Sequence, residues 1–292
     1  MSNPNLSGYI DTHVHIWSSD LQRYLLGKGF TPDVMQPAAY MADDILRDAG
    51  PSGVNRVVLV QINFYGFDNT FMLEAIQKNP AAFRGVAVID AMAESPDLEM
   101  KRLAKRGVRA FRLHPEEVTS ARLGEAGYER MFRYAAESGL AVCLLMNPDS
   151  LEAVDRQCQR FPRTPVVIDH LARIGVGNII REQDVQALCA LARHPEVRVK
   201  VSAFYALGEA KPPHLDLAPL LRRVYEAFGP ERLMWGSDCP YHLRSEKYDY
   251  GIALIRDHLP FLSASDKEWI LRRTAEQLFF GQDLSSDQHP EA

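Results

Sequence analysis

Two histidines one residue apart, His13 and His15 in the run YIDTHVHI (9–16), are the sharpest chemical signal in the chain. On an extended strand residues two apart share a face, so Asp11, His13 and His15 are expected to project together. Imidazoles paired in this way can ligate a divalent cation or exchange protons near neutral pH. Two further groups close apolar runs. His170 ends PVVIDH (165–170), and its alternation with Val166 and Ile168 predicts that it points the same way as those small apolar residues. Asp238 ends RLMWGSD (232–238), on the face of Met234 and Gly236 and just ahead of Pro240. A carboxylate there can serve as general base toward water. It can also complete a ligand set of His13, His15 and Asp238, the three protein ligands with which a catalytic zinc keeps one position open.

Such distant residues converge only if the fold gathers strand ends. Eight short β-branched runs are bounded by turn residues: 9–16, 56–63, 84–90, 108–113, 140–146, 165–170, 197–203 and 232–238. Amphipathic stretches such as NTFMLEAIQKNP, YERMFRYAAESG and LAPLLRRVYEAFG separate them. Strands alternating with helical stretches argue parallel βαβ units, and eight of these predict an α/β fold, a (β/α)8 TIM barrel. At 292 residues one domain over 1–292, with its core at about 8–281, is the economical reading. In such a barrel the active site is built at the C-terminal ends of the strands, where His13, His15, His170 and Asp238 all fall. Arg112, which alternates with Val108 and Ala110, is expected there too.

The order of these motifs resembles the amidohydrolase superfamily, specifically its amidohydrolase-2 branch. The motifs are DTHVHIW, the VQ...GFDN segment around Gln61 and Asn69, VRAFR, DHLAR and WGSDCP. Within that branch they are similar to those of the 2-pyrone-4,6-dicarboxylate and sugar-acid lactonases. The resemblance implies hydrolysis of a lactone of a small carboxylated metabolite by base-activated water. Asp238 would be the base, with His13, His15 and His170 around the oxyanion and Arg112, Arg173 and Gln61 on the substrate. Many metal-dependent members carry a further His or a modified Lys on strand 4 or 5, whereas strand 5 here reads LAVCLLMNP. The expectation is therefore that no metal is required, one zinc or manganese ion on His13, His15 and Asp238 being the alternative. That alternative goes with a metal-dependent hydrolase or decarboxylase acting on a small aromatic or muconate-type acid. A barrel kept only for binding is a third reading, since fold alone does not fix function.

Composition narrows the partners. An apolar content of 46 %, a charged content of 24 % and a formal charge of −5 describe an ordinary globular chain without a basic stripe, so nucleic acid is not expected. Neither a leader-like start nor a membrane-length apolar run is evident, which predicts a cytoplasmic protein acting on a small molecule. Homo-oligomerisation is left open. Cys143, Cys158, Cys189 and Cys239 form no CxxC pair and are read as reduced thiols. No GxGxxG, GxxxxGK[ST] or GxSxG motif occurs, which argues against dinucleotide, P-loop and serine-elbow chemistry. The long segments after strands 1 and 8 are expected to form lids, with Tyr24, Phe30, Tyr241 and His242 facing the pocket, and the tail from about 282 is expected to fray.

Overall fold

The computed structural model describes residues 7–281; the expectations about the start and the tail fall largely outside the described residues. Eight parallel strands follow one another in chain order: β1 (Tyr9–Val14), β2 (Val54–Val60), β3 (Phe83–Ala87), β4 (Val108–Leu113), β5 (Ala141–Leu144), β6 (Val166–Ile168), β7 (Val197–Ser202) and β8 (Leu233–Gly236). Each overlaps one of the β-branched runs. The runs are apolar on both faces because both faces are covered. Ile10, Val58, Val60, Val86, Ala110, Ala141, Cys143, Val167 and Met234 fill the barrel interior. Alternate residues such as Val57, Leu59, Val142, Leu144, Val166 and Ile168 belong to the larger core shared with the helices.

The helices include Ala42–Ala49, Thr70–Lys78, Pro96–Ala104, Ala126–Ser138, Leu151–Arg160, Glu182–Ala190 and Ala218–Phe228. Met72 and Ile76 of Thr70–Lys78 lie so close over Gly85 that a Cβ there would meet them at 3.1 and 2.9 Å. A last helical stretch over 264–280 crosses the N-terminal end of the barrel. Its Ala275 and Phe279 join the interior cluster, and Phe280 packs 5.1 Å beneath the guanidinium of Arg56 and of Arg84. The bottom is thus sealed and the opposite end carries the loops.

The closing seam between β1 and β8 is made by a few bonds rather than by a ladder. Val14 bridges Cys239, the Asp238 amide donates to the His13 carbonyl at 2.9 Å, and the His15 amide donates to the Cys239 carbonyl at 2.8 Å. Thr12 Oγ1 donates to the Trp235 carbonyl at 2.7 Å. Close approach requires Gly236: a Cβ there would stand 2.9 Å from His13 Cβ. Beside the seam β1 bulges, with three steps from Asp11 to Val14 facing two from Val57 to Leu59. The extra residue breaks the simple alternation. Asp11 therefore does not share the face of His13 and His15: its carboxylate accepts from the Ser237 amide at 2.9 Å and the Tyr248 hydroxyl at 2.6 Å. Among the described residues no helix is long and apolar enough to cross a membrane, and all four cysteines are free.

Candidate active site

His13 and His15 leave the end of β1, and Asp238 follows β8 across the seam. His15 Nε2 lies 3.3 Å and His13 Nε2 3.7 Å from Asp238 Oδ1. His15 Nδ1 is 2.8 Å from the Val60 carbonyl. A carbonyl only accepts, so Nδ1 carries the proton of the neutral ring and Nε2 presents a lone pair to the carboxylate. His13 Nε2 is buried and has no hydrogen-bond partner. Two imidazole nitrogens and a carboxylate oxygen thus converge, their ligand atoms within 4.8 Å of one another. Facing acceptors repel unless a proton or a cation lies between them.

Tyr205, on the loop after β7, donates its hydroxyl to Asp238 Oδ2 at 2.7 Å. Burial and the adjacent Asp238 charge push that phenol well above its ordinary range, so it stays a donor. Burial opposes the charge on Asp238, but the neighbouring imidazoles, His170 first and then His15 and His13, outweigh it and hold the carboxyl low. Burial lowers His13, and nearby His170 and Lys200 lower it further against the pull of Asp169.

The alternation expected for strand 6 is inverted: Val167 faces the interior, whereas Val166 and Ile168 face the helices. His170 reaches the site by another route. The chain turns left-handed at His170, Leu171, Ala172 and Arg173, with φ of 52°, 54°, 54° and 59°, which sets the His170 ring 4.3 Å from that of His13. Its Nδ1 is 2.8 Å from Ser202 Oγ, and burial pushes its pKa down to about 4.

Behind the ligand cluster lies an ionic group that the sequence reading missed. Asp169, fully buried, has Oδ1 at 3.1 Å from Lys200 Nζ and 3.7 Å from His13 Nδ1, and Oδ2 at 3.4 Å from Arg112 Nε. Burial works against the Asp169 charge, but Lys200, His13 and Arg112 prevail and hold its carboxyl well below the usual range. The signal for Lys200 was present: a lysine inside VRVKVSA, on the parity of Ser202.

In front of these groups lies a cavity of about 440 Å³ lined by His15, Arg112, His114, His170, Arg173, Tyr205, Asp238 and Tyr241, among others. Arg112 faces it as expected. Arg173 does too, with NH1 donating to Asn147 Oδ1 at 3.0 Å. Gln61 is not part of the lining: its Nε2 donates to the Asp68 carbonyl at 2.6 Å and pins the loop after β2. Of the four expected lid residues only Tyr241 lines the cavity; Tyr24 instead donates to Glu74 Oε2 at 2.7 Å. His114, beyond the end of β4, was not foreseen. Burial and the neighbouring Arg112 charge bring its pKa to about 4.

Fold and site together define a barrel hydrolase. The amidohydrolase family model matches residues 10–281, so the chain belongs to the amidohydrolase family. It is 28 % identical over 258 residues to an L-fucono-1,5-lactonase of Burkholderia ambifaria, covering 83 % of this chain and 84 % of that one. A solved structure of a probable 2-pyrone-4,6-dicarboxylic acid hydrolase from Acinetobacter baumannii, with citric acid bound, superposes at a TM-score of 0.79 and 25 % identity. The match covers 93 % of this chain and 99 % of that one. An amidohydrolase of Burkholderia multivorans, solved with bound zinc, has the same fold at a TM-score of 0.75 and 23 % identity, covering 93 % and 98 %.

The expectation that no metal is required is corrected by this geometry. It took the histidines as hydrogen-bond donors, yet the one N–H of neutral His15 is committed to the Val60 carbonyl. What His15 turns toward Asp238 is an acceptor nitrogen, and with His13 Nε2 and Asp238 Oδ1 it makes a set suited to a divalent ion. Strand 5 is apolar, but behind His15 the Val60 carbonyl supplies the outer acceptor that a ligating imidazole needs.

Proposed function

We propose that the protein is a metal-dependent lactonase that hydrolyses the cyclic ester of a small carboxylated metabolite. The observation that carries this reading is the convergence of His13, His15 and Asp238 at a cavity lined by His15 and Asp238 together with Arg112 and Arg173. Its likeness to an L-fucono-1,5-lactonase supports the ester class. His13 Nε2, His15 Nε2 and Asp238 Oδ1 would hold the ion. When bound, zinc or manganese supplies Lewis acidity, which polarises the ester carbonyl and makes water acidic enough for a weakly basic acceptor.

The remaining work belongs to the side chains. Asp238, oriented by Tyr205, takes the proton of the attacking water as the new C–O bond forms, and returns it to the ring oxygen as the ester C–O bond breaks. The product is the open hydroxy acid. His170 Nδ1 is paired with Ser202 Oγ, and in the tautomer protonated at Nε2 the ring would donate to the developing oxyanion. Arg112 and Arg173 hold a carboxylate on the substrate, since a guanidinium fork matches it with two hydrogen bonds.

The test joins metal analysis to a panel of sugar-acid and pyrone lactones. Purified protein should carry about one equivalent of zinc or manganese, lose hydroxy-acid production on chelation and regain it when the ion is restored. Asp238→Asn should lower kcat at least ~100-fold with the fold intact. Full turnover by metal-depleted protein would overturn the reading, and so would release of carbon dioxide in place of a hydroxy acid.

A further inference from the structure

His13 has two possible neutral tautomers, and only the one protonated at Nδ1 leaves Nε2 free to ligate. Three polar neighbours bear on the choice. Lys200 Nζ, a donor 3.4 Å from Nδ1, favours the tautomer that cannot ligate. Asp238, 3.7 Å from Nε2, favours it as well when no ion is present, because an Nε2–H could then donate to the carboxylate. Asp169 Oδ1, 3.7 Å from Nδ1, is the only acceptor among the described residues that is paired with that nitrogen. His15 has no such ambiguity, because the Val60 carbonyl fixes it.

We propose that Asp169 is a positioning residue of the metal centre: it accepts the Nδ1 proton of His13 and so turns the Nε2 lone pair toward the ion. The proposal rests on the metal-dependent reading above. A ligating imidazole generally donates its other N–H to a carboxylate or a carbonyl. Asp169 would do for His13 what the Val60 carbonyl does for His15. Lys200 at 3.1 Å and Arg112 at 3.4 Å then balance the charge of Asp169 in a fully buried place. Neither cation can accept a proton from His13, so neither can replace Asp169. Arg112 also faces the cavity, so the same carboxylate joins the substrate wall to the ion.

The experiment measures zinc affinity by chelator competition and records the visible spectrum of the cobalt-substituted protein, both independent of turnover. Removing Asp169 alone would strand Lys200 in the core, so the informative comparison is Lys200→Met against the charge-neutral pair Asp169→Leu with Lys200→Met. Apolar replacement of a buried ion pair is commonly tolerated, and circular dichroism checks the fold. Lys200→Met should keep its zinc Kd within about threefold of the parent. The double variant should bind ~10–100-fold more weakly, the scale of a lost partner behind a ligand, with a shifted cobalt spectrum. Equal affinity and spectra for the two variants would overturn the role of Asp169. So would a loss already complete in Lys200→Met. A parent protein that binds no zinc would instead sink the metal-dependent reading, and the two failures are told apart by that first measurement.

Discussion

Arg112 and His114 line the same cavity, but at neutral pH only one of them carries charge. Arg112 is a permanent cation, whereas burial and the Arg112 charge keep the His114 pKa at about 4. Arg112→Met should therefore raise KM for an acidic lactone roughly 10-fold or more, the worth of a hydrogen bond to a charged group, and change KM for a neutral lactone little. His114 gains its proton only as pH falls toward 4, and an added positive charge tightens anion binding. KM for the acidic lactone should thus be flat from pH 8 to 6 and drop only near pH 4; a drop centred near 6.5 would return His114 to an ordinary imidazole. Single residues were legible where type and spacing say enough, as with His13, His15 and Asp238. Asp169 and Lys200 were not, because an ion pair between strands 6 and 7 is written in the register between them rather than in either run. Gln61 lies outside the cavity lining, its amide bonded to the backbone of its own loop.

The segment from His170 to Arg173 departs furthest from its sequence. DHLAR has no glycine, yet four successive residues adopt positive φ, a conformation that costs side chains with a Cβ roughly 1–2 kcal/mol each. The reason is position: an extended continuation of β6 would keep His170 on the helix-facing side with Val166 and Ile168. Ala172, fully buried at φ 54°, tests this. Ala172→Gly should change stability by less than about 1 kcal/mol, relief of the left-handed backbone offsetting the lost methyl group. Ala172→Val should cost at least ~2 kcal/mol, since a β-branched residue tolerates positive φ poorly, and should lower kcat by displacing His170. Urea unfolding reads the first effect and initial rates the second; the opposite order, Gly worse than Val, would mean that the strain is not there. The eight strands themselves were readable because each is apolar on both faces. The β1 bulge and this left-handed turn were not, since both answer to how neighbouring strands meet.

Across the whole molecule, buried imidazoles tie stability to pH. His114, His170 and His242 sit at about 4 because burial disfavours their charged forms, against about 6.5 in an unfolded chain. Between these values the unfolded chain binds more protons, so stability rises with pH and is lost on acidification. Each histidine contributes a slope approaching ~1.4 kcal/mol per pH unit. Urea melts of the metal-free protein at pH 6.5 and 5.0 should differ accordingly, and equal midpoints would contradict these burial effects. The seam between β1 and β8 has a consequence in time as well as in space. The 223 residues that separate Thr12 from its acceptor Trp235 take roughly 10–45 s to synthesise at cellular rates. Throughout that interval the first strand has no closing neighbour, the growing sheet keeps an open edge, and Phe279 has not arrived to seal the bottom. His13 and His15 are synthesised well before Asp238, so until that carboxylate arrives the imidazole pair is unfinished. The ligand set proposed here is completed only once the chain that follows β8 has come round to face β1.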